Sequence, residues 1–524
     1  MKAPSDRPKT SCLPQSEAGS SWPTLGDPLT ALWLGADDAL RWSVRCASVL
    51  GATGAGAAHI EGLRRQRLTT LVAHARRNSS LMREVLGTLP DDAPLTSLPI
   101  TERDQLMQEF DRWVTDPRVR LDEVRGFLAD PQRTGEPYLG RYAIWTSSGT
   151  SGMPGIFVSD PDALAVYEAL WSARSACGHA ATPLWQAMLG GCRIAMVAAT
   201  TGHFAGVVTW ERMRRLHPWL NLTSRIFSIL DPIDRLVEEL NAWQPAVISS
   251  YPSLLALLAE AKRAGRLKLA PSLLMSGGET LPGSQARVLQ EAFNCPVRDE
   301  YGASECMNIA WSCPAGVLHL NADWVILEPV DEHMRPVPPG TPSSDVLLTN
   351  LANHVQPILR HRLGDRVTLL PGRCECGCPL PRMQVIGRND EVLHLPDTRG
   401  RPVAILPLAL EALIEEHSSV GCFQVEQTAV NRLSIRLQTC PPDERQTVWQ
   451  ALEQRIGHWL ALQGACATVV LDPRAPEPDP KTGKLRRVIG LDRPSGGRLT
   501  RPGRPDGHAQ PRTPRGSGQR SRGR

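Results

Sequence analysis

The sequence predicts an α/β protein with a large N-terminal body built on a mostly parallel β-sheet and a small α+β domain behind it. Three observations carry that reading. From about Arg141 onward, short β-rich runs alternate with helical ones, which implies a sheet covered on both faces. After Gly387 the order changes to helix, strand, strand, helix, strand over roughly 100 residues, which suits a separate α+β unit. The 524 residues are 41% apolar and 21% charged, which excludes a largely disordered or fibrous chain, and no run of ~18 apolar residues supports a spanning helix.

In chain order, residues 1–27 show no periodicity and read as a loose arm. From Ile60 to Leu86 apolar residues recur at steps of three and four, the pattern of an amphipathic helix. SLPITERDQLMQEFDRWV continues in kind, with Thr101 as a candidate N-cap. In the α/β part, YAIW, RIAMVAA, PAVISSY, SLLMSGG and PVRDEYG read as strands. ALAVYEALWSARSAC, PIDRLVEELNAW, SLLALLAEAKRAG and LPGSQARVLQEAF read as helices. Beyond Gly387, LPLALEALIEEH and ERQTVWQALEQRIGHWLALQ are helices, while FQVEQT, RLSIRLQT and ATVVLDP are strands. The division is therefore 1–27 arm, 28–386 body, 387–491 lid and 492–524 tail.

The net charge of +4 is unevenly spread. From Asp492 to Arg524 there are nine Arg against two Asp, a net of +7, which leaves −3 for everything before it. The tail's Gly, Pro, Ser and Arg cannot bury apolar area, so it reads as a solvated segment rather than a specific nucleic-acid site. The polar N-terminus lacks the apolar stretch of a secretory signal, and a cytoplasmic protein with no membrane partner is expected. Thirteen Cys then argue for free or metal-bound thiols rather than disulfides.

Chemistry concentrates first at Thr146-Ser147-Ser148-Gly149-Thr150-Ser151-Gly152-Met153-Pro154, directly after the YAIW strand. Small hydroxyl residues and glycines let backbone N–H groups converge on an anion while the hydroxyls add donors, which suits a polyphosphate. It is not a Walker A loop, because the Gly-Lys-Ser/Thr ending is missing. Downstream follow Ser276-Gly277-Gly278-Glu279-Thr280, Tyr301-Gly302-Ala303-Ser304-Glu305, Arg362-Leu363-Gly364-Asp365, Gly387-Arg388-Asn389-Asp390 and Thr482-Gly483-Lys484.

Six such elements in this order resemble the adenylate-forming superfamily of acyl- and aryl-CoA ligases, luciferases and peptide-synthetase adenylation domains. LPITERDQL, the Cys just after YGASE, HLNADWVILEP and CECG are most similar to the phenylacetate-CoA ligase and coenzyme F390 synthetase group, over roughly residues 60–490. The resemblance implies two half-reactions. A carboxylate and ATP give an acyl-adenylate and pyrophosphate, and a thiol, usually that of coenzyme A, then displaces AMP.

It also implies roles. Residues 146–152 would hold the β- and γ-phosphates. Gly277, Gly278 and Glu279 would line the adenine pocket, with Tyr301 offering a ring to stack on. Ser304, where the family more often has Thr, would donate to the α-phosphate, and Glu305 would ligate Mg²⁺. Asp365 would accept from both ribose hydroxyls, with Arg388 a further ribose or phosphate contact. Lys484 would place a cation between two anionic reactants. Lysine is scarce here, with six in the chain, so its retention in PKTGK is pointed; Lys481 reads as a solvated turn residue. Asp390 would be the hinge that presents and withdraws Lys484. One departure is Gly155, where many relatives carry Lys or Thr.

Thr200 to Gly206 resembles the family's aromatic-and-histidine segment beside the acyl site, so His203, Phe204 and Tyr251 are expected in the acid pocket. His203 reads equally as a satisfied core histidine. Cys313, His319, Cys374 and Cys376 suit a structural tetrahedral Zn²⁺, with Cys306 and Cys378 as substitutes and ordinary free thiols as the alternative. The expected enzyme is thus an AMP-forming acid–thiol ligase acting on an aryl or arylacetic acid. A carrier-protein thiol or an amine as acceptor, and a non-catalytic nucleotide-binding member, stand as alternatives. A homodimer is compatible with the sequence.

Overall fold

The computed structural model describes residues 28–147, 155–176, 193–200, 202–386, 392–417, 419–439, 442–477 and 486–491. The described chain opens with helices Pro28–Gly54, Ala57–Asn78 and Ser80–Leu86. The helical run read across Ile60–Leu86 is therefore two helices: the Ser79 side chain accepts from Met82 N–H at 3.1 Å and starts a new one. Thr101 is not an N-cap. Its N–H and hydroxyl bond to the Arg360 and Leu359 carbonyls, and helix Arg103–Gln108 begins after Glu102.

Strands β1 (Ala143–Thr146) and β2 (Ile156–Ser159) pair antiparallel, so the Ser/Thr/Gly segment joins two strands of a hairpin. Next come β3 (Ile194–Ala198), β4 (Ser224–Ser228), β5 (Val247–Ser250), β6 (Leu273–Gly277) and β7 (Val297–Ala303). All five pair in parallel, in the order β7-β6-β5-β3-β4. Helices Ile233–Trp243, Pro252–Arg263 and Gly283–Phe293 supply crossovers, as read from the sequence.

Beyond β7 the same sheet continues antiparallel through β8 (Cys306–Ser312) and β9 (Leu318–Leu320). Strands β10 (Val325–Val330), β11 (Asp345–Asn350) and β12 (Ile358–Arg362) form a separate three-stranded sheet. Then β13 (Val367–Leu370) and β14 (Arg382–Val385) complete the large sheet, which has nine strands in the order β13-β14-β9-β8-β7-β6-β5-β3-β4. It is thus parallel at one end and antiparallel at the other. The antiparallel extension matters because it carries the cysteine cluster.

The C-terminal part begins with the hairpin β15 (Leu393–Pro396) and β16 (Pro402–Ile405). Helix Pro407–Glu415, β17 (Val420–Ala429), β18 (Arg432–Thr439), helix Arg445–Leu462, β19 (Thr468–Asp472) and β20 (Val488–Ile489) follow. Its four-stranded sheet runs β19-β18-β17-β20. One apolar core spans this part and the body, joining Leu236 and Leu255 to Leu410 and Ile456. Trp459 Nε1 also donates to the Leu230 carbonyl at 3.0 Å. Among the described residues, no helix is long and apolar enough to cross a membrane.

Candidate functional site

In a parallel sheet the loops at the carboxyl ends of the strands are free to carry chemistry. Here they surround a cavity of about 2040 Å³, closed on one side by helix Pro407–Glu415. Its wall takes Thr146 and Ser147 at the end of β1, Tyr251 after β5 and Gly277, Gly278 and Glu279 at the end of β6. It also takes Tyr301, Gly302, Ser304 and Glu305 from β7 and its turn, and Asp365 after β12. Residues up to 219 positions apart thus face one space. Ser148, Gly149, Thr150, Ser151, Gly152, Arg388, Asp390 and Lys484 lie outside the described residues.

Local chemistry explains each placement. Ser147 N–H donates to the Gly155 carbonyl at 2.8 Å, and Gly155 N–H donates to Ser147 Oγ at 3.1 Å, which closes the hairpin stem. A Cβ on residue 155 would stand 2.7 Å from that Oγ and 2.8 Å from the Phe157 ring, so a side chain there would displace both. The departure noted in the sequence thus fits the packing of this stem. Gly278 has φ +79°, and a Cβ there would stand 2.9 Å from the Tyr251 ring. Glu279 accepts from Ser253 N–H and Oγ at 2.9 and 2.8 Å, capping helix Pro252–Arg263 while it lines the cavity.

Tyr301 donates to Asp365 Oδ2 at 2.9 Å, joining two motifs 64 residues apart. Burial holds the Tyr301 hydroxyl protonated, with the Asp365 charge adding to the effect. The Ser304 carbonyl accepts from Trp145 Nε1 at 2.9 Å, and the Glu305 carbonyl accepts from Asn350 at 2.9 Å. The Glu305 carboxyl is buried, which raises its pKa, while Arg103 opposes the rise from 3.4 Å. A hard, partly compensated carboxylate on the cavity wall would suit a Mg²⁺ ion.

Around Glu305 stand residues that the sequence reading missed; Arg103 and Asp345 line the cavity, and His361 is buried beside Glu305 without reaching the cavity. Arg103, from LPITERDQL, pairs with Glu305, and its Nε and Nη1 are buried without a hydrogen-bond partner among the described residues. His361 lies with Nε2 3.9 Å from Glu305, and burial drops its pKa to about 3. Asp345 accepts from Gly364 N–H at 2.8 Å and Arg362 Nε at 2.7 Å, which shapes the loop before Asp365. Nothing local marks these three, because their partners are distant in sequence.

The expectation for His203, Phe204 and Tyr251 needs one correction. Phe204 and Tyr251 line the cavity, but His203 does not. Its Nε2 lies 3.1 Å from the Asp130 carbonyl and its ring packs on Phe127, so it is a core histidine held away from the cavity.

The second cluster stands on the antiparallel extension. Ligand atoms of Cys313, His319, Cys374 and Cys376 lie within 4.8 Å of one another. Cys313 and Cys374 sulfurs are 3.8 Å apart, and Cys376 Sγ is 3.4 Å from His319 Nε2. A tetrahedron with Zn–S bonds of ~2.3 Å has S···S edges of ~3.8 Å, and S···N edges of ~3.5 Å. His319 Nδ1 donates to the Leu380 carbonyl at 3.0 Å, which aims Nε2 at the cluster. The four donors therefore fit Zn²⁺. Cys306 stands apart, buried in the core with its thiol pushed up to about 12, and Cys378 supplies its backbone N–H to Cys376 Sγ. Residues 316–318, in the turn between Cys313 and His319, also form part of the cavity wall.

No family model matches the chain. A segment covering 30% of it is 25% identical over 167 residues to Protein CapK of Staphylococcus aureus, and spans 34% of that relative's length. Among solved structures, the chain is similar to 2-hydroxyisobutyryl-CoA ligase in complex with 2-HIB-AMP and CoA. The TM-score is 0.49 and the identity 21%, covering 84% of this chain and 91% of that one. It is also similar to the anthranilate CoA ligase AuaEII in complex with anthranoyl-AMP, at TM-score 0.32 and 16% identity over 65% of each chain. For the amide bond synthetase McbA from Marinactinospora thermotolerans, the TM-score is 0.36 and the identity 16%, covering 66% of this chain and 67% of that one.

Proposed function

We propose that this chain is an ATP-dependent, AMP-forming acid ligase of the adenylate-forming type, most similar to the phenylacetate-CoA ligase group. The observation that carries the reading is the convergence of motifs. Thr146–Ser147, Gly277–Glu279, Tyr301–Glu305 and Asp365, recognised separately along the chain, meet on one cavity wall. A carboxylate oxygen of the acid attacks the α-phosphorus of ATP, the bond to the β-phosphate breaks, and pyrophosphate leaves. The thiolate of coenzyme A then attacks the acyl carbon, and AMP leaves with the bridging oxygen.

In this reading Tyr301 and Gly277–Gly278 hold the adenine, and Asp365 holds the ribose. Ser304 and residues 146–152 hold the phosphates, with Arg388 beside them. Glu305 would hold Mg²⁺, which screens phosphate charge when bound. Phe204 and Tyr251 form the acid pocket, whose aromatic character favours an aryl or arylacetic acid. Lys484 compensates charge during adenylation, and Asp390 is the hinge that removes it before the thiol enters. The boundaries 28–386 and 387–491 follow from that division of labour. The Cys313 cluster would hold a structural Zn²⁺ that braces one wall. Among the described residues no cysteine is in a disulfide, and a reducing cytoplasm, which leaves thiols available to a metal, is the setting of this reading.

ATP–pyrophosphate exchange across a panel of carboxylic acids tests the reading, since it reports adenylation whatever the final acceptor. Exchange is expected with aryl or arylacetic acids and not without acid. Absence of acid-dependent exchange across aryl, arylacetic and aliphatic acids would overturn it.

A further inference from the structure

Helix Pro28–Gly54 has two unlike faces. Asp38, Val49 and Ala52 are buried against the body. On the opposite side Ala36, Leu40, Ser43, Ala47, Leu50 and Gly54 are all exposed, at steps of four, three, four, three and four. That is the 3.5-residue repeat which keeps one seam turned toward a partner helix. Leu40 and Leu50 are 65% and 56% exposed, and Val44 beside the seam is 57% exposed. Among the described residues ten large apolar side chains are exposed, and three of them, Leu40, Val44 and Leu50, stand on or beside this seam, so the exposure is a patch rather than scatter; Trp42 lies on another face, where its indole donates to Ser172 at 3.1 Å.

The flanking charges are already satisfied within the chain. Arg41 pairs with Asp37 at 2.9 Å and Asp162 at 2.8 Å, and Arg45 reaches Asp162 at 3.7 Å. The seam itself carries no charge.

Its order also reads the same from either end. About position 45, Ala36 mirrors Gly54, Leu40 mirrors Leu50 and Ser43 mirrors Ala47. Two copies laid antiparallel about a twofold axis at that position would set leucine on leucine and small residue on small residue. A self-complementary surface of this kind is what an isologous interface requires. A stretch of about 28 Å between helices about 10 Å apart buries on the order of 1,000 Å² in total, the lower bound for a specific interface.

We propose that this protein forms a twofold homodimer by antiparallel pairing of helix Pro28–Gly54 through Leu40 and Leu50. The test is the mass of the full chain by light scattering at micromolar concentration, with thermal melting as a check that each variant folds. The wild type should have twice the chain mass. Leu40→Glu should weaken association at least about a hundredfold, because each copy then buries a carboxylate against apolar surface. Adding Leu50→Lys to Leu40→Glu should restore the dimer, because antiparallel pairing sets the two charges face to face. A monomeric wild type, or a dimer indifferent to Leu40→Glu, would overturn the proposal. So would a folded Leu40→Glu/Leu50→Lys protein that stays monomeric. A monomer that binds phospholipid vesicles through Leu40 would also overturn it and assign the seam to a membrane surface.

Discussion

Replacing Asp365 separates the nucleotide from the acid in this site. The carboxylate already accepts from Tyr301 at 2.9 Å, and each of its oxygens can accept more than one bond, so ribose hydroxyls can share it. Hydrogen bonds to an ionised group are worth about 1.5–3 kcal/mol each, and two of them about 3–6 kcal/mol. At tenfold per 1.4 kcal/mol, Asp365→Ala should lower kcat/KM for ATP by roughly 10²- to 10⁴-fold. Tyr301→Phe removes one bond to the same carboxylate and no ribose contact, so its loss should stay near tenfold. The assay is initial-rate pyrophosphate release with ATP varied at saturating acid and then the reverse, with Asp365→Asn as an isosteric control for folding. The KM for the acid should hardly move. If it rose by the same factor as the KM for ATP, Asp365 would be a general structural support and the ribose assignment would be wrong.

Lys484→Ala should abolish acid-dependent pyrophosphate release while a preformed acyl-adenylate is still converted to thioester; equal loss in both halves would remove the charge-compensating role. Elemental analysis should find about one zinc per chain, lost in Cys374→Ser and Cys376→Ser, with a lower melting temperature after chelation; metal-free protein from zinc-replete growth would refute the cluster's assignment. A chain ending at Leu491 should keep its adenylation rate and melting temperature, because the Arg-rich tail has no apolar area to bury; a slower rate at saturating substrates would place the tail in the lid.

The parallel half of the large sheet was legible because RIAMVAA, PAVISSY and SLLMSGG are short apolar runs between amphipathic helices, and tertiary packing asks little more of them. The antiparallel half was not. Strands β9, β13 and β14 are three or four residues long, too short for a period to show. The break at Ser79 was hidden because the apolar steps continue across it, while a single capping hydroxyl decides where one helix stops. In the site, Gly278, Tyr301 and Asp365 stood out by motif. Arg103 and His361 gained meaning only when folding brought residues 103, 305 and 361 together. His203 shows the converse, a motif residue whose ring the fold turns toward Asp130.

The central claim, that an acid becomes an acyl-adenylate here, is tested most directly by following its oxygen. With a substrate acid carrying ¹⁸O in both carboxylate positions, ATP and coenzyme A, the bridging oxygen departs with AMP when the thiol attacks. Mass spectrometry should therefore find one ¹⁸O in each AMP formed, in step with the thioester. Unlabelled AMP, or ADP and phosphate in its place, would contradict the account.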